Sequence, residues 1–206
     1  MIDFHEDIKY TQMFLGFCGS YGSYKAKVDG IWGPKTNDAM TDFEMLTEVI
    51  KDGHSLVTDL RSENCICSLH PNAQLLARDF LLKCEDFPNF KVKIISGLRS
   101  YREQDRLYAK GRTEPGRIVT NSKAGQSYHQ FGVAFDCAIF SKNGTYLSDD
   151  EYYREIAEKI KDVMQIDCGI DWKTFKDPSH YQLINLPTIT KIRKLFESGK
   201  ELIIWK

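Results

Sequence analysis

One acidic residue inside an apolar strand most constrains what this chain can fold into. Residues 132–140 carry apolar side chains at alternate positions, which predicts a β-strand with two distinct faces. Asp136 lies in the middle of this strand, on the face that it shares with Ala134 and Ala138. Because an isolated carboxylate in apolar surroundings is costly, we expect Asp136 to be hydrogen-bonded or bound to a metal ion.

Two histidines extend this observation. His129 precedes the strand by a few residues, and His180 follows Asp177 in a later Asp-Pro-Ser-His segment. Two histidines and one carboxylate are a common ligand set for a hydrolytic Zn²⁺, which keeps one position open for water. Bound zinc lowers the pKa of that water to about 7, and a separate carboxylate must then take its proton. Taken singly, each residue is as well explained by a structural role; together with Asp177 they indicate a zinc site.

The spacing of these residues is similar to that of a known peptidase family. Ser-x-His-x-x-Gly-x-Ala-x-Asp at 127–136 and Asp-x-x-His at 177–180 resemble the LAS-type zinc peptidases. That family includes D-alanyl-D-alanine carboxypeptidases, D-Ala-D-Ala dipeptidases and L-alanyl-D-glutamate endopeptidases. The resemblance covers roughly residues 65–186, and its flanking motifs look most like the endopeptidase branch found in bacteriophage endolysins.

The resemblance implies a role for each matching residue. Three would be the zinc ligands: His129, Asp136 and His180. Asp177 would be the catalytic acid and base. Arg99 would stabilise the developing oxyanion or anchor the substrate, because a guanidinium offers a fork of hydrogen-bond donors. Ser127 and Gln104 are candidate hydrogen-bonding partners of the substrate.

The N-terminal part of the chain has a resemblance of its own. Residues 10–48 resemble the small peptidoglycan-binding module built of three helices, through the motif Asp-Gly-x-x-Gly-Pro-x-Thr at 29–36. In such a module, exposed aromatic side chains would stack on sugar faces. The candidates are Tyr21, Tyr24 and Trp32. The alternative is that Trp32 and Phe43 form the core of a very small unit.

Helical and extended patterns follow one another in no regular alternation, which predicts an α+β fold. We expect a small antiparallel sheet with flanking helices that carries the zinc site, preceded by the three-helix module. The predicted boundaries are a peptidoglycan-binding module at 1–55, a linker at 56–71, where no strong period is visible, and a zinc peptidase domain at 72–206.

Charge and hydropathy exclude some classes of partner. The net charge is -1, so binding to nucleic acid or to an acidic membrane surface is not expected. Residues 1–60 carry 5 basic and 10 acidic side chains, whereas residues 61–206 carry 23 and 19, which suits an anionic substrate at the peptidase part.

No segment approaches the roughly 18 consecutive apolar residues of a membrane span. The N-terminus lacks the pattern of a secretory signal, so we expect synthesis in the cytoplasm. We also expect the protein to be a monomer.

These observations predict a peptidoglycan hydrolase of the bacteriophage endolysin type, causing bacteriolysis after a holin opens the membrane. The reaction would be zinc-dependent amide hydrolysis in the stem peptide, with the L-Ala–D-Glu bond as the first candidate. One alternative is a D-alanyl-D-alanine carboxypeptidase that trims terminal D-Ala. The other is a cell-wall-binding protein without catalytic activity.

Overall fold

The protein is described by a computed structural model over residues 4–19, 24–54 and 59–203. Seven α-helices lie in these ranges: α1 (Phe4–Phe17), α2 (Pro34–Asp52), α3 (Leu60–Cys67), α4 (Pro71–Cys84), α5 (Tyr101–Ala109), α6 (Asp150–Ile160) and α7 (Ile189–Glu197). Five strands accompany them: β1 (Phe90–Ser96), β2 (Ala134–Ser141), β3 (Tyr146–Leu147), β4 (Ile166–Cys168) and β5 (His180–Leu183). Short 3-10 helices, Tyr128–Phe131 and Gly169–Asp171, precede β2 and follow β4. No helix in the described ranges is both long and apolar enough to cross a bilayer.

Local signals mark the starts of two helices. α2 begins at Pro34, whose fixed φ suits a first helical turn, and the Ser100 hydroxyl caps α5 by accepting a hydrogen bond from the Glu103 N–H. Residues 1–55 contain two α-helices in their described part, α1 and α2, where the module resemblance implies three.

The segment 56–71, predicted as a linker because no strong period is visible, contains the helix α3 at Leu60–Cys67. Asp59 caps this helix by accepting from the Ser62 N–H, and the Ser62 hydroxyl in turn accepts a hydrogen bond from the Ile94 N–H of β1. This helix has eight residues, and Ile66 is its buried apolar side chain, so its sequence shows no repeating pattern of apolar residues. Such a short helix depends on its cap and on its packing against β1, which a local pattern does not reveal.

The chain forms two compact units. The first comprises Met1–Glu48, Arg99–Phe131 and Asn185–Lys206, and the second comprises Val49–Leu98 and Gly132–Ile184. Each unit is therefore assembled from segments that are distant in sequence. The division at 1–55, 56–71 and 72–206 follows chain order instead and stays a prediction.

Aromatic side chains form the interior of the first unit. Phe17 of α1, Phe131 of the first 3-10 helix and Phe196 of α7 are fully buried. Their ring centroids lie 5.3–6.4 Å apart, in tilted and edge-on arrangements that favour aromatic pairs. The N-terminal helix, the 3-10 helix that contains His129 and the C-terminal helix thus share one core.

The second unit contains the antiparallel sheet, with strand order β1-β2-β5-β4 and β3 paired to the far part of β2. On its apolar face Phe135, Cys137 and Tyr181 are completely buried. Phe80 of α4 packs on this face, with ring centroids 5.4 Å from Phe135 and 4.5 Å from Tyr181. The sequence correctly predicted an α+β class and a β-strand in this segment with Asp136 on one face.

The register of the strands assembles the polar face of the same sheet. Asp136 of β2 lies directly opposite His180 of β5, and Gln182 of β5 lies directly opposite Asp167 of β4. Directly opposed residues share a face, with Cβ atoms about 4.5–5.5 Å apart. Strand pairing therefore places these four polar side chains together, and it determines where the site forms.

Candidate metal centre

A tight turn presents His129. The fully buried Gln130 uses its side-chain oxygen to accept hydrogen bonds from the backbone N–H groups of Gln126 and Ser127, both at 3.1 Å. Gly132 follows with φ of 67°, a conformation that favours glycine, and the chain then enters β2. His129 is only 3% exposed, and Ser127 is half-buried. These hydrogen bonds hold the turn that places His129 just ahead of the strand with the predicted carboxylate ligand.

The three sequence-predicted ligands come together. One ligand atom from each of His129, Asp136 and His180 lies within 4.8 Å of the others. Oδ1 of Asp136 lies 3.3 Å from Nδ1 of His180, as the strand register requires. Zinc binds such atoms at about 2.0–2.2 Å, so small side-chain adjustments bring all three around one ion. Two imidazoles and one carboxylate are donors that fit zinc.

The surroundings of His180 favour a positive charge. Burial lowers the pKa of its imidazole, but the hydrogen bond and charge of Asp136 and the acceptor of Gln182 outweigh that effect. The pKa of His180 is raised as a result, and the carboxylate of Asp177 adds to the rise. A field that favours a proton at this position also favours a metal cation.

A proline-containing turn places Asp177 ahead of His180. The Asp177 carbonyl accepts a hydrogen bond from the His180 N–H at 3.0 Å, with Pro178 at the second turn position. The Asp177 N–H donates to the Gly169 carbonyl at 3.1 Å, and the Ser179 hydroxyl donates to Oδ1 of Asp177 at 3.0 Å. The Asp177 side chain is exposed and lies outside the group of three ligands. A carboxylate held near a metal site without belonging to its ligands is available for proton transfer.

Arg99 is held by a buried amide. Its Nη1 donates to Oε1 of Gln104 at 3.1 Å, and its backbone N–H donates to the His129 carbonyl at 3.1 Å. Gln104 is completely buried, and its Nε2 donates to the Ser122 carbonyl at 2.6 Å and to Oγ1 of Thr120 at 3.3 Å. Gln104 therefore has no exposed atom for the predicted substrate contact. Its hydrogen bonds are those of a residue that positions Arg99.

Comparison with known proteins identifies the family. The VanY family, D-alanyl-D-alanine carboxypeptidase, matches residues 67–169 of this chain. The chain is also 38% identical over 125 residues to the peptidoglycan L-alanyl-D-glutamate endopeptidase CwlK of Bacillus subtilis (strain 168). That alignment covers 56% of this chain and 74% of CwlK. The chain belongs to the VanY family of LAS-type zinc peptidases. It is accordingly a zinc-dependent peptidoglycan hydrolase.

Two solved peptidase structures are also similar to this VanY-family chain. The L-Ala D-Glu endopeptidase ChiX of Serratia marcescens is 26% identical, with a TM-score of 0.42 over 60% of this chain and 86% of ChiX. A vancomycin-resistance D,D-pentapeptidase, VanY of a VanB-type cassette in complex with Zn(II), is 18% identical, with a TM-score of 0.41 over 64% and 80%. Because both TM-scores are below 0.5, the family assignment depends on the sequence matches.

Helix α1 of this VanY-family chain supports the segment around Arg99 and His129. The Tyr10 hydroxyl lies 2.7 Å from the Gln130 carbonyl and 3.0 Å from the Arg99 carbonyl. Tyr10 is half-buried, but its hydroxyl lies inside, where burial raises its pKa well above the usual value and keeps it a neutral donor. Sequence analysis missed this residue, because nothing local connects position 10 with positions 99 and 130.

The N-terminal motif at 29–36 is organised by one glutamine. Gln12 is completely buried, and its Oε1 accepts hydrogen bonds from the backbone N–H groups of Asp29 and Gly30 at 2.9 and 2.8 Å. Its Nε2 lies 3.2 Å from Oγ1 of Thr36. The polar residues of the motif therefore build a loop on α1, which explains their spacing structurally.

The aromatic residues of this part have different exposures. Tyr24 is buried, and its hydroxyl donates to the Lys27 carbonyl, so it is not available to stack on a sugar. Phe43 is buried against Phe14, with ring centroids 5.4 Å apart. Trp32 is 46% exposed, and Tyr21 lies outside the described residues. Trp32 is thus the described sugar-stacking candidate that still has an accessible ring.

Proposed function

We propose that this chain cleaves the L-Ala–D-Glu bond of the peptidoglycan stem peptide. The support is the 38% identity to CwlK, a peptidoglycan L-alanyl-D-glutamate endopeptidase, over most of that relative's length. The second candidate is removal of terminal D-Ala, because the matching family is that of the D-alanyl-D-alanine carboxypeptidase VanY.

The single observation that carries a hydrolytic mechanism is the cluster of His129, Asp136 and His180, with ligand atoms within 4.8 Å of one another. These residues would hold Zn²⁺, which when bound polarises a carbonyl group and lowers the pKa of a water molecule. The donor set matches that of hydrolytic zinc sites, which keep a position open.

Asp177 and Arg99 supply the remaining chemistry in this proposal. The exposed carboxylate of Asp177 takes the proton of the attacking water and returns it to the leaving amine. The guanidinium of Arg99, fixed through Gln104, donates hydrogen bonds to the oxyanion that develops at the scissile carbonyl. The backbone N–H of Ser127 donates a hydrogen bond to the side chain of Gln130, and its hydroxyl forms a hydrogen bond with the substrate.

We also propose that the enzyme acts as an endolysin. In that role it is a monomer that binds no nucleic acid, is made in the cytoplasm and reaches the wall after holin release. The N-terminal part at 1–55 binds peptidoglycan, with the exposed Trp32 as its contact to sugar. Both proposals derive from the motifs at 29–36 and 127–136.

The test is a digest of defined muropeptides, read by mass spectrometry. Cleavage at L-Ala–D-Glu produces a peptide with a new N-terminal D-Glu, whereas carboxypeptidase activity releases free D-Ala. Asp177→Ala should retain stoichiometric zinc and lose turnover, while Asp162→Ala, at another exposed aspartate, should behave like wild type. Full turnover by Asp177→Ala would contradict the mechanism, and release of D-Ala alone would overturn the proposed bond.

A further inference from the structure

A chain of hydrogen bonds extends from His180 on the side away from Asp136. Nε2 of His180 lies 2.9 Å from Oε1 of Gln182, and Nε2 of Gln182 donates to Oδ2 of Asp167 at 2.9 Å. The indole N–H of Trp172 donates to Oδ1 of the same carboxylate, also at 2.9 Å. The predicted catalytic residues do not include these three partners.

From this chain we infer that Gln182, Asp167 and Trp172 are positioning residues that fix the tautomer and the ring orientation of His180 for metal binding. The inference depends on the proposed zinc-ligand role of His180 and deepens it. The proposed hydrolytic mechanism does not use these three side chains, and the inference gives them a function.

The types of donor and acceptor allow a single arrangement. An indole N–H only donates and an ionised carboxylate only accepts, so the amide nitrogen of Gln182 must face Asp167. The amide oxygen of Gln182 therefore faces His180, and Nε2 of His180 must carry the hydrogen. With the hydrogen on Nε2, Nδ1 is the nitrogen through which His180 would bind a metal ion. That is the nitrogen that lies 3.3 Å from the Asp136 carboxylate.

This tautomer has a consequence for the space beside Asp136. Nδ1 faces the Asp136 carboxylate at 3.3 Å from Oδ1, so a metal ion bound by Nδ1 would also lie beside this second proposed ligand. The hydrogen bonds at Nε2 therefore direct Nδ1 toward the proposed metal position. Second-shell partners of metal-bound histidines commonly work in this way.

The ring plane of His180 is fixed as well as its tautomer. Trp172 packs on the imidazole with ring centroids 5.1 Å apart, so the same residue holds Asp167 and contacts His180. Gln182 is only 7% exposed, and strand pairing places it opposite Asp167. Rotation of the imidazole would break the bond to Gln182 and lose the contact with Trp172.

Three variants of the full-length chain separate these contributions. Gln182→Met keeps the length of the side chain and removes the acceptor. Trp172→Phe keeps an aromatic ring on His180 and removes the N–H donor. Asp167→Asn replaces an acceptor-only group with one that can also donate. Gln165→Met, at an exposed glutamine, is the matched control.

The first readout is zinc affinity, measured by competition with a chelator. Gln182→Met should weaken it by about 10- to 100-fold, the usual effect of losing a second-shell partner. Trp172→Phe and Asp167→Asn should weaken it less, and Gln165→Met should not change it. The second readout is the ¹⁵N spectrum of the His180 ring in the zinc-free protein, which should show hydrogen on Nε2 in wild type and a mixture of tautomers in Gln182→Met.

Unchanged zinc affinity and an unchanged tautomer in Gln182→Met would overturn the inference, even if the enzyme remains an active hydrolase. Loss of zinc affinity with an unchanged tautomer in Gln182→Met would overturn it too, because the effect would then be purely structural. The proposed ligand set fails separately, if His180→Ala binds zinc as wild type does. The proposed bond fails separately as well, in the muropeptide digest.

Discussion

The guanidinium of Arg99 donates a hydrogen bond to the side-chain oxygen of Gln104 at 3.1 Å, and Gln104 is completely buried. The amide nitrogen of Gln104 is itself held by the Ser122 carbonyl and the Thr120 hydroxyl. A side chain that is fixed at both ends can hold Arg99 in one rotamer. Pre-organised donors of this kind are worth most where charge develops during a reaction.

We therefore expect Gln104→Met to lower kcat while zinc content stays unchanged. A misplaced catalytic group costs about 10²-fold in rate, so a decrease of about that size is expected. The measurement is kcat and KM on a defined muropeptide, together with zinc stoichiometry. Gln165→Met, at an exposed position, serves as the control. A wild-type kcat in Gln104→Met would show that Arg99 does not need this support.

Gly169→Ala should disturb the turn that bears Asp177 and His180. A Cβ at position 169 would lie 2.3 Å from the Asp177 carbonyl oxygen and 3.1 Å from Cβ of His180. Because the first contact is with backbone, the turn must shift, at a cost of roughly 1–3 kcal/mol. Zinc affinity and turnover should both decrease.

Gly33→Ala provides the matched control, since a Cβ at position 33 meets nothing within 4 Å. Chelator competition and thermal unfolding measure the two effects on each variant. Retention of full zinc affinity in Gly169→Ala would mean that the turn can move without displacing His180.

Tyr10→Phe tests whether α1 supports the segment around Arg99. The change removes the hydroxyl that lies within hydrogen-bond distance of the Gln130 and Arg99 carbonyls. The free energy of unfolding should decrease by about 1 kcal/mol, the typical net value of one hydrogen bond. Urea denaturation of both proteins measures this difference. Equal stability would argue that water replaces the hydroxyl without loss.

Asp59 should make stability depend on pH at the acid end. The hydrogen bond from Lys93, at 2.8 Å, outweighs the opposing effect of burial and, together with hydrogen bonds from Ser62, lowers the pKa of Asp59 to about 2. Its unfolded value is about 3.9. A depressed folded-state pKa stabilises the protein above pH 4, and that contribution is lost as the pH falls toward 2.

The difference in unfolding free energy between wild type and Asp59→Asn should therefore shrink as the pH falls from 5 to 2. Because the pair is partly exposed, solvent screening keeps the effect small. Urea denaturation at several pH values measures it, with Asp86→Asn as a control at a carboxylate that is 72% exposed. A constant difference across this range would contradict the assignment.

The candidate zinc ligands could be predicted from the sequence because their signals are local. The alternating pattern of β2 placed Asp136 on one face with Ala134 and Ala138, and residue chemistry connected it with His129 and His180. The same period places Gln182 on the face of His180, a signal that sequence analysis missed. Helix α3 has no comparable signal, since its stability depends on a cap and on packing against β1.

By itself, the sequence determined the face of the strand, the donor set and the family, because periodicity and motif spacing are properties of neighbouring residues. The tertiary structure alone decided which side chains support them. Gln104 was expected to contact the substrate, but the structure buries it completely and hydrogen-bonds it to Arg99, Thr120 and Ser122. Tyr10 reaches Arg99 across 89 positions of the chain. Hydrogen bonds between residues this distant in sequence form only when the whole chain packs, and no local sequence pattern predicts them.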